Sequence, residues 1–300
     1  MNRPRVIELF CGLGGFAEAT GGQADVVLAA DASAHVLEIY RANFDHPARQ
    51  MNLEAAHSDA MAKLDADIWW MSPPCQPHTV RGHQLDLDDP RSASFEKTLQ
   101  MIADVRPPRI GMENVEGFKG SDAYDRLHRT LERSGYLVHE QILCPTDFGV
   151  PNRRPRYYMA ASRETTPTFE LRQVGRPFPE YLDATHDPKL EVTDAQFEKY
   201  GHAFVIVDHD DPEAITSCFT SAYGKSWVYS GSYLRHNGVL RRFSPAEVLR
   251  LMHFRPGFLI PPTVSTRKAW KFIGNSLSVP PTRATFEALW PAACGDQTDI

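Results

Sequence analysis

Ser72-Pro73-Pro74-Cys75-Gln76-Pro77 sets one thiol among three prolines. Proline fixes φ, so the backbone on both sides of Cys75 is constrained. The stretch follows a short apolar run at 67–71 and so lies at the C-terminal edge of an expected strand, where ligands and reactive groups collect in open α/β sheets. A structural cysteine more often sits inside an apolar run as a small hydrophobe. Cys75 therefore reads as a nucleophile, a role that needs the thiolate and hence a cation or a helix N-terminus close by. Arg154 and Arg156, in Pro151-Asn152-Arg153-Arg154-Pro155-Arg156-Tyr157, alternate along the chain and on a strand would point to one side. They are candidates for that charge, although alone they fit surface residues equally well. Glu113, in Glu113-Asn114-Val115, closes the apolar run 109–112 and would bring a carboxyl toward the same face as Cys75. By itself it would also fit a helix cap or a solvated acid.

A glycine turn carries the second kind of chemistry. Cys11-Gly12-Leu13-Gly14-Gly15 follows the strand-like residues 5–10, and glycine lets a ligand approach backbone that a side chain would shield. A tight turn needing glycine only for packing explains the loop in isolation. Asp31, however, ends the next expected strand at 26–30, where an acid can accept hydrogen bonds from ribose hydroxyls. No Lys-Ser/Thr pair follows the glycines, so phosphate is not the expected guest, and a nucleoside-containing cofactor is. Asp59, placed before the third strand, is a candidate for an adenine amino group or simply a surface acid.

These groups need a scaffold that brings them to one edge. Helical spacing at 34–44 (Val36, Ile39, Tyr40, Phe44), a strand at 67–71, a helix at 93–105, a strand at 109–112, a helix at 122–134 and strands at 136–143 and 155–161 alternate as an α/β fold with a parallel-dominated sheet. Pro167, Pro177, Pro179, Pro188 and Pro212 break up 164–240, which reads as a smaller, irregular lobe. Helical spacing returns at 243–254, with Ser244 as N-cap and Pro245 in the first turn, and again at 281–290. The expected division is 1–163 as the catalytic and cofactor-binding domain, 164–240 as the small lobe, 241–290 as a return to the first domain, and 291–300 as a tail.

Composition narrows the class. With 300 residues, 42% of them apolar, the chain can bury a sizeable core. A balance of 32 Lys and Arg against 38 Asp and Glu gives −6, so any nucleic-acid contact must come from local basic clusters. The 5 cysteines, at 11, 75, 144, 218 and 294, contain no CxxC pair and fit neither a disulfide framework nor a metal site. No signal-peptide pattern and no long apolar window occurs, so a cytoplasmic protein with reduced thiols and no membrane partner is expected.

Taken in order, Glu8-Leu9-Phe10-Cys11-Gly12-Leu13-Gly14-Gly15-Phe16, Ser-Pro-Pro-Cys, Glu-Asn-Val, the paired arginines and Gly274-Asn275-Ser276 resemble the cytosine-5 methyltransferase family throughout its catalytic domain. Cys218-Phe219-Thr220, with Asp89-Pro90-Arg91 and Ser94-Phe95, resembles the branch that methylates transfer RNA.

The resemblance implies a Rossmann-like domain that uses S-adenosylmethionine and yields S-adenosylhomocysteine, with a smaller target-recognition lobe. Cys75 would add to C6 of cytosine, Glu113 would hold or protonate N3, and Arg154 and Arg156 would engage the base carbonyl, the backbone or the thiol environment. Phe10, Cys11, Gly12, Leu13, Gly14, Gly15, Asp31, Asp59, Asn275 and Ser276 are the implied cofactor residues. Arg81, Arg91, Arg241, Arg242, Lys268 and Lys271 are the basic candidates for substrate contact, against the general rule that exposed basic residues are solvated surface. The implied partner is tRNA bound by a monomer, with aspartate tRNA expected and restriction-type DNA methylation as the alternative. His78 stands where the family has Phe and Arg242 where the tRNA branch often has Tyr. Cys218 is read as structural or RNA-positioning.

Overall fold

The computed structural model describes residues 3–74 and 93–291. Cys75, His78, Arg81 and Arg91 lie outside the described residues. Seven strands form one sheet in the order β3-β2-β1-β4-β5-β7-β6, from β1 (Arg5–Leu9), β2 (Asp25–Asp31), β3 (Ala48–Gln50), β4 (Ile68–Met71), β5 (Arg109–Val115), β6 (Leu137–Leu143) and β7 (Arg156–Ser162). The first five in that order run parallel, while β7 lies antiparallel between β5 and β6. The sheet is therefore mixed, an α/β fold with the expected parallel majority.

Alternation along the strands decides the layers. On β1, Ile7 and Leu9 join a core with Trp69, Met71 and the helices α4 (Ala93–Val105) and α5 (Asp122–Arg133). On the opposite face Val6 packs with Ile68 and Trp70 against α1 (Gly15–Thr20), α2 (Ala34–Asn43) and α9 (Val279–Leu289). Phe16 stacks on Trp70 with ring centroids 4.6 Å apart, and both are fully buried. Burying each such side chain stabilises the fold by roughly 2–3 kcal/mol.

The region expected to be irregular contains ordered elements. α6 (Asp194–Tyr200) precedes a small sheet, order β10-β9-β8, from β8 (Val205–Asp208), β9 (Ser232–His236) and β10 (Val239–Arg242). Asn237 and Gly238, at φ 50 and 79, make the two-residue turn between β9 and β10. The small sheet shares one core with the helices C-terminal to it. Phe178, Tyr181, Phe219, Tyr223 and Leu234 pack with Phe243, with Leu251 of α7 (Pro245–Leu251), and with Trp270 and Ile273 of α8 (Thr266–Gly274). Ser244 and Glu247 form the expected cap: the Glu247 N–H donates to Ser244 Oγ at 3.1 Å, and the Ser244 N–H to Glu247 Oε2 at 2.7 Å. Among the described residues no helix is long and apolar enough to cross a membrane.

Candidate active site

The parallel strands end on one edge, and the glycine turn sits there. Phe10, at φ 56, leaves β1 in the left-handed region, and Gly12 follows at φ 54. A Cβ on Gly12 would meet nothing within 4 Å, so bare backbone faces open space. Gly14 and Gly15 serve packing instead. A Cβ on Gly14 would lie 2.4 Å from the Phe44 ring, and one on Gly15 would lie 2.8 Å from Leu277 and 3.1 Å from Ser276 Oγ. The returning segment therefore closes directly over the turn.

Asp31 ties the turn to β2. The Gly12 N–H donates to Asp31 Oδ2 at 3.0 Å and the Ser33 N–H to Oδ1 at 2.8 Å, leaving lone pairs on both oxygens for hydroxyl donors. Glu8 supports the turn from below, a role sequence reasoning missed. This carboxyl is 1% exposed, accepts from the Tyr40 hydroxyl at 3.0 Å and from backbone N–H groups of Phe16 and Ala17, and burial pushes its pKa up to about 8. Its signal was an acid inside an otherwise apolar strand. The turn, Asp31 and the open face at Gly12 together fit a nucleoside-bearing cofactor. Asp59 is exposed in the first turn of α3 (Ser58–Ala62), and Asn275 is exposed at the end of α8, with Ser276 buried beside it.

Ser72, which opens the thiol stretch, stands at the same edge. The Ser72 N–H donates to the Leu9 carbonyl at 3.3 Å, and Trp70 Nε1 donates to Ser72 Oγ at 2.9 Å. On the neighbouring strand Met112 pairs with Met71, so Glu113 stands one residue beyond that pair. Glu113 is 8% exposed. Burial raises its pKa, and Arg156 and Arg154 oppose that rise without cancelling it. Arg156 Nε lies 3.6 Å from Glu113 Oε1, close enough for its charge to act on the carboxyl but beyond a hydrogen bond. Asn114 Nδ2 is buried with no hydrogen-bond partner among the described residues, so a polar donor beside Glu113 awaits an acceptor.

Arg154 has a different task from the one its neighbour has. Its Nη1 donates to the Phe219 carbonyl at 3.0 Å, and its Nη2 to the carbonyls of Gly274 at 3.0 Å and Ser276 at 2.6 Å. One buried guanidinium thus joins the arginine loop, the Cys218-Phe219-Thr220 stretch and the returning segment. Cys218 completes the cluster: Arg154 Nη1 is 3.3 Å and Arg156 Nη2 3.7 Å from its sulfur. Burial raises the thiol's pKa, but the two guanidiniums outweigh it and the net direction is down. Among the described residues the arginines expected to serve a thiolate meet the sulfur of Cys218.

The basic substrate candidates separate into two pairs. Lys268 and Lys271 are exposed on α8, where they can reach a polyanion. Arg241 and Arg242 are corrected. Arg241 is 3% exposed and donates to both Glu247 carboxylate oxygens, at 2.7 and 2.6 Å. Arg242 is buried with its guanidinium carbon 3.8 Å from the centroid of the Trp227 ring and 5.6 Å from those of Tyr223 and Trp270. Both were read as surface because an arginine is rarely buried without a partner, and the partners lie on other elements.

Comparison with known proteins places this geometry. The profile described as C-5 cytosine-specific DNA methylase matches residues 4–223. The chain is 32% identical to the tRNA (cytosine(38)-C(5))-methyltransferase of Schizosaccharomyces pombe over 311 aligned residues, covering 92% of this chain and 94% of that one. It is 28% identical to a DNA (cytosine-5)-methyltransferase of Dictyostelium discoideum, covering 93% and 92% respectively. Among solved structures, a methyltransferase of Entamoeba histolytica superimposes with a TM-score of 0.87 at 26% identity, covering 96% of this chain and 98% of that one.

Proposed function

The chain belongs to the C-5 cytosine-specific DNA methylase family and is an S-adenosylmethionine-dependent cytosine-5 methyltransferase, and on that premise we propose that it methylates a cytosine in the anticodon loop of a tRNA, aspartate tRNA first among them. The observation that supports the RNA substrate is similarity along nearly the full length of both chains to a protein named for tRNA cytosine 38. A base in an RNA loop is also less costly to unstack than one in a duplex.

The chemistry assigned to each residue is dictated by what cytosine lacks. C5 is a poor nucleophile until C6 is attacked, and Cys75 makes that attack as a thiolate, forming a sulfur–C6 bond. Electron density then reaches N3, where Glu113, whose raised pKa lets it hold a proton, donates it and offsets the developing charge. Arg156 lies against Glu113 and orients it, while Arg154 fixes the returning segment over the glycine turn. Bound S-adenosylmethionine supplies an electrophilic methyl group on its sulfonium. Backbone at Gly12 and the Asp31 carboxylate would hold the cofactor's nucleoside portion, with Phe10, Cys11, Leu13, Asp59, Asn275 and Ser276 around it and Gly14 and Gly15 shaping the turn through their packing. A base then takes the C5 proton, the N3 proton returns to Glu113, and the sulfur–C6 bond breaks to restore the ring and free the Cys75 thiolate. Lys268 and Lys271 meet the RNA backbone, and the lobe at 164–240 selects the target.

Incubation with methyl-labelled cofactor and either total tRNA or duplex DNA tests the substrate. Label is expected in tRNA, at one loop cytosine, and is expected to vanish in Cys75→Ala. Labelling of DNA alone would overturn the reading in favour of the DNA-methylating alternative, for which the Dictyostelium likeness is the supporting observation.

A further inference from the structure

Methyl transfer through Cys75 and Glu113 leaves Cys218 without a task, yet its surroundings are those of an ionised group. Its sulfur sits 3.3 Å from Arg154 Nη1 and 3.7 Å from Arg156 Nη2, and the same Arg156 presents Nε to Glu113 Oε1 at 3.6 Å. One guanidinium therefore spans two acids, a thiol on one side and a carboxyl on the other. Arg154 is held beside the sulfur, because Nη1 also donates to the Phe219 carbonyl and Nη2 to the carbonyls of Gly274 and Ser276. Among the described residues, the charged and titratable groups that face Glu113 are Arg156, Arg154 and Tyr158, and those that face Cys218 are Arg154 and Arg156.

We propose that Cys218 is a positioning residue for methyl transfer: ionised between Arg154 and Arg156, its sulfur takes up guanidinium charge that Glu113 would otherwise feel, and so keeps Glu113 in its proton-donating form. Two buried cations can be balanced by two anions, by one, or by none. Ionising both acids would spend Glu113 before N3 needs its proton. Ionising only the thiol leaves Glu113 neutral and the cluster at one net positive charge. Burial raises the carboxyl while the guanidiniums bring the thiol down, so the ordinary gap between the two acids narrows in favour of the thiol. The sulfur is not asked to attack the base. Its effect is electrostatic and passes through Arg156.

The proposal rests on the reading of Glu113 as the acid at N3, and two measurements separate them. The titration of Glu113, followed by NMR in protein labelled with 13C at the glutamate carboxyl, reads the electrostatics without turnover. In Cys218→Ala the Glu113 midpoint is expected to fall by about one pH unit, a tenfold change in proton affinity. Cys218→Ser, close in size but not ionisable in this range, should match alanine and also guards against a loss of folding in the smaller variant. An unmoved midpoint in both variants overturns the proposal, as does a serine variant that keeps the wild-type midpoint, which would assign the effect to hydrogen bonding. The pH dependence of kcat then addresses the catalytic reading. Near-wild-type turnover at the acidic end with a tenfold loss at the alkaline end supports both. A shifted midpoint with an unchanged profile upholds the role of Cys218 and rejects Glu113 as the acid.

Discussion

Arg154 Nη2 donates to the carbonyl of Ser276 at 2.6 Å, joining residues 122 positions apart in the chain. The bond places the arginine loop under the segment that covers the glycine turn. Because Nη1 and Nη2 also hold the carbonyls of Phe219 and Gly274, no other cation can replace the fork. Arg154→Lys is expected to leave at least one buried carbonyl unpaired and to cost about 1–3 kcal/mol, measured by urea unfolding. Weaker cofactor binding by calorimetry should accompany it, while an unchanged unfolding midpoint would contradict the clamp.

Gly12 and Gly14 should separate binding from folding. Gly12→Ala meets no atom within 4 Å but keeps φ at 54, so stability should fall by only about 1–2 kcal/mol. The added methyl group enters the face assigned to the cofactor, and affinity for S-adenosylmethionine should drop at least tenfold, a ratio of about 1.4 kcal/mol. Gly14→Ala drives a Cβ to 2.4 Å from Phe44 and should instead lower the melting temperature by more than the Gly12 change does.

Arg241 and Lys271 make opposite predictions although both are basic residues near the end of the chain. Breaking the buried pair with Arg241→Met strands Glu247 and should cost roughly 3–5 kcal/mol of stability. Lys268→Ala and Lys271→Ala should leave unfolding unchanged. Each should reduce the slope of log affinity for tRNA against log salt by about one. A salt slope that stays at the wild-type value would remove α8 from the RNA contact.

Glu8 gives a pH dependence whose sign can be worked out. Its ordinary value is 4.5 and the folded value about 8, so between those limits the folded chain holds a proton that the unfolded chain has lost. This contribution to stability is present at low pH and is lost as pH rises, at about 1.4 kcal/mol for each unit crossed. Glu8→Gln carries no such proton. Urea unfolding of both proteins from pH 5 to 8 should show the wild type losing stability faster, and parallel curves would refute the assignment.

How far this architecture could be read in advance depended on whether a signal was local. The strands and helices of the first 163 residues alternate because apolar runs and glycine or proline stops are local features, and the boundaries of α4 coincide with the expected 93–105. Several elements escaped for physical reasons, β3, α8 and the small sheet among them. β3 has three residues, Ala48–Gln50, with no buried apolar side chain to mark a period. In α8 the apolar residues Ala269, Trp270, Phe272 and Ile273 are matched in number by Thr266, Arg267, Lys268 and Lys271, although Ser265 at its N-cap was a usable sign. The small sheet pairs β8 with β9, joining Val205 to Ser232, a relation no short window contains. At the site, Glu113 and the arginines were legible as residue types at strand ends. That Arg154 holds carbonyls rather than substrate, that Arg241 is spent on Glu247, and that Cys218 lies between two guanidiniums are long-range facts.

The closure of Gly15 beneath Leu277 and Ser276 bears on the order in which this protein comes into being. Synthesis delivers the sulfur, the acid and both arginines well before the piece that roofs the glycine turn. A nascent chain halted in the small lobe already displays its reactive groups and lacks the wall that would enclose a methyl donor. Modification of nucleic acid must therefore wait for that wall to be made, and a product truncated before it would be chemically silent however well its first half had folded.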